Sequence, residues 1–328
     1  MNYKYKDKIS IVIPTYNRAS LLKKSVDSLL KQTYDNFEVI VVDDASSDNT
    51  ESVMKKIKDE RVKYIKLKKN SGACVARNTG IKASTGKYIT FNDSDDEYLP
   101  EKLEKQYNNL IKNKSDMDFC RLKVHINNSF FVVPSDECIK MLKKGKYVDE
   151  LTRGNYISTQ AIFVKKEKIL KYMFDDDLPR LQDYDLVLRM IPNLKISFTN
   201  EILANLYNSK DSIGNSKEKL LNAMKIIINK NYNFTDEQYK SLRLYLINLY
   251  GHALETEHIK CDNKINELQQ KINDLQQSYD TLLNQYHSAQ NSINELEDYN
   301  SKLLNSRSWK ITKPLRALSG KTISRKKE

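Results

Sequence analysis

Over its first hundred residues the chain alternates short apolar runs with amphipathic stretches. Ile9-Ser10-Ile11-Val12-Ile13 is mostly apolar and predicts a buried strand. Pro14 to Arg18 reads as a loop. From Ala19 to Lys31, Leu21, Leu22, Val26, Leu29 and Leu30 recur at helical spacing. Phe37 to Val42 predicts a second strand, and Asp43 to Ser47 a polar loop. Asp48 with Glu51 predicts a capping box opening a helix through Val53 and Ile57. Val62 to Leu67 predicts a third strand, Ala73 to Ala83 a helix, and Lys87 to Phe91 a fourth strand. Such alternation predicts an α/β domain with a Rossmann-like, mostly parallel sheet and helices on both faces. Ligands of such sheets bind beyond the carboxyl ends of the strands, where all these polar loops fall.

Beyond residue 115 the patterning is less regular. Lys217 to Lys230 and Asp236 to about His258 predict helices, the second opened by the capping-box residues Thr235 and Gln238. From Ile265 heptads take over. Ile265, Ile272, Tyr279, Tyr286, Ile293 and Asn300 fall at a, and Leu268, Leu275, Leu282, Ala289, Leu296 and Leu303 at d. Unbroken heptads without Gly or Pro predict a coiled coil, about 40 residues or roughly 60 Å long. Most e and g positions are uncharged, which suits a homo-oligomer, and a parallel homodimer is the expectation. The expected organisation is an α/β domain over 1–215, a helical segment over 216–258, a coiled coil over 259–306 and a basic tail over 307–328.

Composition narrows the chemistry. The chain has 328 residues, 39% of them hydrophobic, and a formal net charge of +12. Residues 307–328 hold eight Lys or Arg and one Glu, so +7 of the +12 lies there. The remainder is only mildly basic, which argues against a nucleic-acid partner. In the tail, Trp309, Ile311, Leu315 and Leu318 interleave with cations, a pattern suited to an anionic membrane surface. No apolar run is long enough for a transmembrane helix, and the polar N-terminus carries no signal-peptide pattern. Four cysteines without a C-x-x-C pair read as reduced thiols of a cytoplasmic protein, and four histidines make no metal-ligand spacing. The glycines form neither a dinucleotide fingerprint nor a P-loop.

The densest chemistry lies in Asp93-Ser94-Asp95-Asp96-Glu97, after the strand ending at Phe91. Neighbouring carboxylates repel, and a hard divalent cation such as Mg²⁺ or Mn²⁺ relieves the repulsion with oxygen ligands. A solvated turn is the plainer alternative.

Four stretches in order resemble family 2 glycosyltransferases of the GT-A fold. They are Ser10-Ile11-Val12-Ile13-Pro14-Thr15-Tyr16-Asn17-Arg18, Val41-Val42-Asp43-Asp44-Ala45-Ser46-Ser47-Asp48, Asn70-Ser71-Gly72 through Ala76-Arg77-Asn78-Thr79-Gly80, and the acidic cluster, which looks like that family's DxD motif. The resemblance is clear over about 100 residues and weaker to about residue 215. Residues 306–316 also look like a tail found on some bacterial surface-polysaccharide transferases.

The resemblance implies a metal-dependent, inverting transfer of a sugar from a nucleoside-diphosphate sugar, UDP favoured, to a hydroxyl of a glycan, lipid-linked or protein-linked acceptor. It implies a bacterial surface-glycan enzyme in the cytoplasm, peripheral at the inner face of the membrane. It places Pro14, Tyr16, Arg18, Asp44, Arg77 and Asp93 around the nucleotide, with Tyr16 stacking on the base and Asp44 accepting its N3–H. Asp95, with Asp93 and Asp96, would hold Mn²⁺ or Mg²⁺. Leu181-Gln182-Asp183-Tyr184-Asp185 resembles the family's Glu-Asp motif and makes Asp183 the base, with Gln182 where a Glu is usual. The alternatives are a nucleotidyltransferase of similar fold and a non-catalytic coiled-coil scaffold.

Overall fold

The structure, a computed structural model, describes residues 5–127, 129–142, 144–207, 216–306 and 310–311. It divides into two compact units, one running to Leu254 and one from Glu255.

The first unit is built on a nine-stranded sheet. Strands β1 (Ile9–Thr15), β2 (Phe37–Asp43), β3 (Val62–Lys66) and β4 (Tyr88–Phe91) alternate with helices α1 (Ala19–Leu30), α2 (Thr50–Lys56) and α3 (Ala73–Ala83). β1 pairs in parallel with β2 and β4, and β2 with β3. Every residue of β1 and β2 is buried, as expected for strands covered on both faces. Gly80 lets α3 lie close on β1: a Cβ there would sit 2.3 Å from Cγ1 of Val12.

The rest of the sheet departs from the mostly parallel expectation. β5 (Glu97–Tyr98), α4 (Lys102–Asn113), β6 (Met117–Ile126), β7 (Ser129–Val133), α5 (Asp136–Leu142), α6 (Tyr147–Leu151), β8 (Ile162–Lys165), α7 (Lys166–Ile169), α8 (Gln182–Met190) and β9 (Ile196–Tyr207) follow in the chain. The strand order is β3-β2-β1-β4-β8-β6-β9-β5, with β7 on β6. β8 runs antiparallel to both β4 and β6, and β5 to β9, while β6 and β9 are parallel. The sheet is therefore mixed. Its antiparallel half shows no regular alternation with helices, so periodicity alone could not order it.

Two helix starts show how far local signals carry. Thr235 and Gln238 form the expected capping box: Gln238 N–H donates to Thr235 Oγ1 at 3.3 Å, and Thr235 N–H to Gln238 Oε1 at 3.0 Å. The Asp48–Glu51 box does not form. Asp48 accepts from Thr50 N–H at 3.0 Å and reaches back to Ala19 N–H, at the start of α1, at 3.1 Å. Glu51 instead pairs with Lys55 and Lys66. A tertiary partner outcompeted the local one.

Helix α9 (Lys217–Asn229) and the start of α10 (Asp236–Asn305) belong to the first unit's core. Leu220, Ala223, Met224, Ile227, Leu242 and Leu246 are buried in the same cluster as β1 and β4. The helical segment expected over 216–258 falls within the first unit as far as Leu254. The second unit is helical from Glu255 to Asn305. Its seam residues Ile265, Ile272, Leu275, Tyr279, Leu282, Tyr286, Ile293 and Leu296 are between 48% and 70% exposed. The basic tail lies outside the described residues except for Lys310 and Ile311. No described helix is long and apolar enough to cross a membrane.

At the edge of the sheet away from the acidic cluster, Glu38 is a buried hub. It accepts from Ser10 Oγ (2.7 Å), Thr85 N–H (2.6 Å), Thr85 Oγ1 (2.8 Å) and Lys63 Nζ (2.7 Å). Burial alone would raise its pKa, but Lys63, Ser10 and Thr85 outweigh it and hold the carboxyl at about 2, below an ordinary 4.5. A depressed carboxyl stabilises the fold above pH 4.5, and that contribution is lost as pH falls towards 2. Glu38→Gln should lower unfolding free energy at pH 7 by up to about 3 kcal/mol. The gap to wild type should narrow below about pH 5, measured by urea unfolding at pH 7 and 3.5. An equal gap at both pH values would count against this role.

Candidate active site

Three loops at the carboxyl ends of β1, β2 and β4 meet in one cleft. Asn17, at φ 51°, stitches the first two together. Its Oδ1 accepts from Ser47 N–H at 2.8 Å and Asp48 N–H at 3.3 Å, while its own N–H donates to Ser46 Oγ at 2.9 Å. Asn tolerates this left-handed backbone better than most residues.

The neighbours Asp43 and Asp44 part company. Asp43 is wholly buried, accepting from Ser46 N–H at 2.8 Å and from the Tyr64 hydroxyl. Asp44 lines the cleft, and its two oxygens accept from Ser71 N–H and Gly72 N–H, each at 2.7 Å. Gly72 does this at φ 93°, a conformation that favours glycine. Each Asp44 oxygen keeps a lone pair for a further donor.

The acidic cluster is similarly divided. Asp93 lies on the cleft wall, accepting from Arg77 Nη2 at 2.7 Å and Gln160 Nε2 at 2.8 Å. Asp95 also lines the cleft, with Arg18 Nη1 at 3.6 Å. Asp96 is buried and is not among the cleft-lining residues. It accepts from Gln160 Nε2 at 2.6 Å and Tyr207 N–H at 2.9 Å. Burial, with Asp93 and Asp95 adding repulsion, pushes its pKa well above the usual carboxylate range. The cluster is thus braced from beneath by Gln160, a residue for which the sequence offered no signal.

Asp183 enters from the other side. Leu181 adopts φ 58° and starts α8, so that Gln182 and Asp183 both border the cleft. Asp183 Oδ1 accepts from Tyr184 N–H at 2.8 Å and Asn155 Nδ2 at 3.3 Å. Burial raises its pKa, against the pull of those bonds and of Arg77. Arg77 spans the two sides, donating to Asp93 through Nη2 and to Gln182 Oε1 through Nη1 at 2.8 Å. Asn78, next in the chain, exchanges hydrogen bonds with the Phe174 backbone and holds Asp176. Asp185 points into the core, to Lys230, Tyr232 and Arg189, as a structural residue would.

The cleft has a volume of about 710 Å³. Pro14, Tyr16, Arg18, Asp44, Arg77, Asp93, Asp95 and Asp183 all line it. Tyr16 is 45% exposed, its ring available to a flat ligand. Asn155, Gln160, Arg180 and Lys219 also line it and were not legible beforehand. Tyr207 closes β9, and residues 208–215 lie outside the described residues.

Among the described residues, no three His, Cys, Asp or Glu side chains are grouped to hold a metal by themselves. The donors present still fit a hard cation. Mg²⁺-type sites use one or two carboxylates and complete the shell with water and ligand phosphates. Asp95, with Asp93 beside it, offers those oxygens on the cleft wall.

The sequence model of the family described as glycosyl transferase family 2 matches residues 10–171. A glycosyltransferase of Haemophilus influenzae is 33% identical over 217 residues, 64% of this chain and 83% of that protein. The Escherichia coli UDP-Glc:alpha-D-GlcNAc-diphosphoundecaprenol beta-1,3-glucosyltransferase WfgD is 33% identical over 218 residues, 65% of this chain and 82% of that protein. Among solved structures, S. aureus TarS in complex with UDP-GlcNAc superposes with TM-score 0.59 at 20% identity, covering 73% of this chain and 71% of that one. The mannosyltransferase PcManGT of Pyrobaculum calidifontis, with GDP-Man and Mn²⁺, gives TM-score 0.57 at 17% identity, covering 77% and 73%. These neighbours share the fold, an α/β arrangement of GT-A type. By its motifs, its cleft and these relatives, the chain is a glycosyltransferase and belongs to glycosyl transferase family 2.

Proposed function

We propose that this enzyme transfers a sugar, with inversion, from a UDP-sugar to a hydroxyl of a bacterial surface-glycan acceptor. The observation that carries the reading is that one cleft joins Asp44, Asp93 and Asp95 on one wall to Asp183 on the other. Tyr16 stacks on the uracil, and Asp44 accepts its N3–H with the lone pairs left by Ser71 and Gly72. Pro14 borders the base, Asp93 the ribose, and Arg18 and Arg77 offset the nucleotide's charge. Asp95, with Asp93, would hold Mn²⁺ or Mg²⁺, which when bound supplies charge stabilisation for the departing diphosphate. Asp96 supports these ligands from behind.

Asp183 takes the proton of the acceptor hydroxyl. The oxygen then bonds to the anomeric carbon, whose bond to the diphosphate oxygen breaks with the electron pair leaving on UDP. A carboxylate with a raised pKa is a better proton acceptor than an ordinary one. Gln182 presents a carbonyl to Arg77 without adding a second negative charge beside Asp183.

The surface-glycan setting draws on WfgD, named for a diphosphoundecaprenol-linked acceptor, and on TuaG of Bacillus subtilis, named for teichuronic acid biosynthesis and 28% identical over 221 residues. It suits a cytoplasmic enzyme at the inner face of the membrane, approached through the basic tail. Residues 259–306 pair with a second copy as a parallel coiled coil. The described seam residues are largely exposed, and a matching seam on a second copy would supply the packing that stabilises such a helix.

Asp95→Ala should abolish turnover and remove the Mn²⁺ dependence of UDP binding; calorimetry with and without the cation reads this out, and unchanged metal-linked binding would reject the ligand assignment. Asp183→Asn should fold and bind UDP yet transfer sugar about 10²-fold more slowly or worse. Transfer near the wild-type rate would exclude Asp183 as the base. Deleting residues 259–328 should leave a monomer that still binds UDP. Light scattering decides: a monomeric full-length chain at micromolar concentration, or a dimeric truncation, would refute the coiled coil.

A further inference from the structure

Four cationic side chains line the cleft: Arg18, Arg77, Arg180 and Lys219. Two face carboxylates. Arg77 is bonded to Asp93 at 2.7 Å, and Arg18 lies 3.6 Å from Asp95. Arg180 and Lys219 have no salt bridge to a carboxylate among the described residues. The one described hydrogen bond of the Arg180 guanidinium runs from Nη1 to the Ser216 carbonyl at 3.5 Å, which leaves most of its five donors for another acceptor. Arg180 is also partly buried, and burial pulls its pKa below the ordinary value. A partly desolvated guanidinium gains most from a doubly charged, multidentate anion.

Position says which anion. Arg180 stands three residues before Asp183, on the segment that leads into α8, and Lys219 lies in the first turn of α9. Arg180 and α9 are tied at Ser216, the N-cap residue of α9. The wall built from β1, β2 and β4 already offers Arg18, Arg77 and the carboxylates that would hold a cation, enough for the donor's diphosphate. Arg180, which interacts electrostatically with Asp183, and Lys219 line the same cleft on elements outside that wall, on the side left for the molecule whose hydroxyl Asp183 deprotonates.

We infer that Arg180 and Lys219 form an acceptor subsite for a phosphate group, so that the acceptor is a sugar or polyol carried on a phosphate or diphosphate ester. The inference rests on the glycosyl-transfer reading for the name acceptor, but its binding test does not need turnover.

The full-length chain is saturated with UDP and Mn²⁺ to fill the donor side. It is then titrated with three probes: an alkyl N-acetylglucosaminyl diphosphate, a short glycerol phosphodiester oligomer and neutral alkyl N-acetylglucosaminide. Wild type should bind one phosphorylated probe roughly tenfold or more tighter than the neutral glycoside. The better of the two identifies a diphosphate-linked or a phosphodiester-linked acceptor. Arg180→Gln and the exposed Lys219→Ala should each shrink that preference, and the double variant should erase it, while UDP affinity stays as in wild type. Equal binding of neutral and phosphorylated probes by wild type would overturn the subsite. So would a preference that survives the double substitution, or variants that weaken UDP instead, which would move these residues to the donor. Two further titrations separate the readings: failure of wild type to bind UDP alone strikes the donor assignment, while the probe preference measured without nucleotide still judges the subsite.

Discussion

The site is organised around one buried guanidinium. Arg77 bonds Asp93 at the end of β4 and Gln182 at the start of α8, two segments nearly ninety residues apart in the chain. The guanidinium is buried while Asp93 is partly exposed, so an ion pair on one side and a hydrogen bond to a neutral amide on the other tie the two walls through one side chain. Phe174 lies under the guanidinium at 5.4 Å, and Asn78 anchors the Phe174 backbone from the same turn of α3. Adjacent residues of one helix therefore secure the acidic cluster, the start of α8 and the loop that precedes it.

Carboxylates crowd the cleft because each has a specific counterweight. Asp44 is met by two backbone N–H groups, Asp93 by Arg77 and Gln160, and Asp96 by Gln160 and the Tyr207 backbone. Hydrogen bonds to charged groups are stronger than neutral ones, although at Asp96 burial still outweighs them and pushes its pKa up. Glu38 follows the same logic at the far edge, where it joins β1, β2 and the turn before β4. The parallel half of the sheet is thus pinned at both ends by acids with dedicated donors.

The second unit obeys a different constraint. From Glu255 to Asn305 it is a helix whose seam residues face solvent. Ion pairs such as Lys271 with Glu267 support it locally, and such exposed pairs contribute little. Burial within the chain stabilises the first unit, whereas the apolar repeat of the second is exposed among the described residues.

By itself the sequence determined the strands and helices of the first hundred residues, the edge at which the ligand loops gather, the family, and the long helix with its apolar seam. These are short-range properties: runs and periods of apolar residues, and motifs whose members lie close together. The Thr235–Gln238 capping box was legible for the same reason. Tertiary structure alone decided that Asp43 is buried while Asp44 meets the cleft, since that depends on where Tyr64 and Gly72 arrive. It decided that Asp96 turns to Gln160, that Asp48 serves α1 rather than its own helix, and that the later strands join antiparallel. Arg180, Lys219, Asn155 and Gln160 are unremarkable in sequence. They acquire meaning only when segments far apart in the chain are brought to one cleft, and no local pattern encodes a contact that the chain makes by folding back on itself.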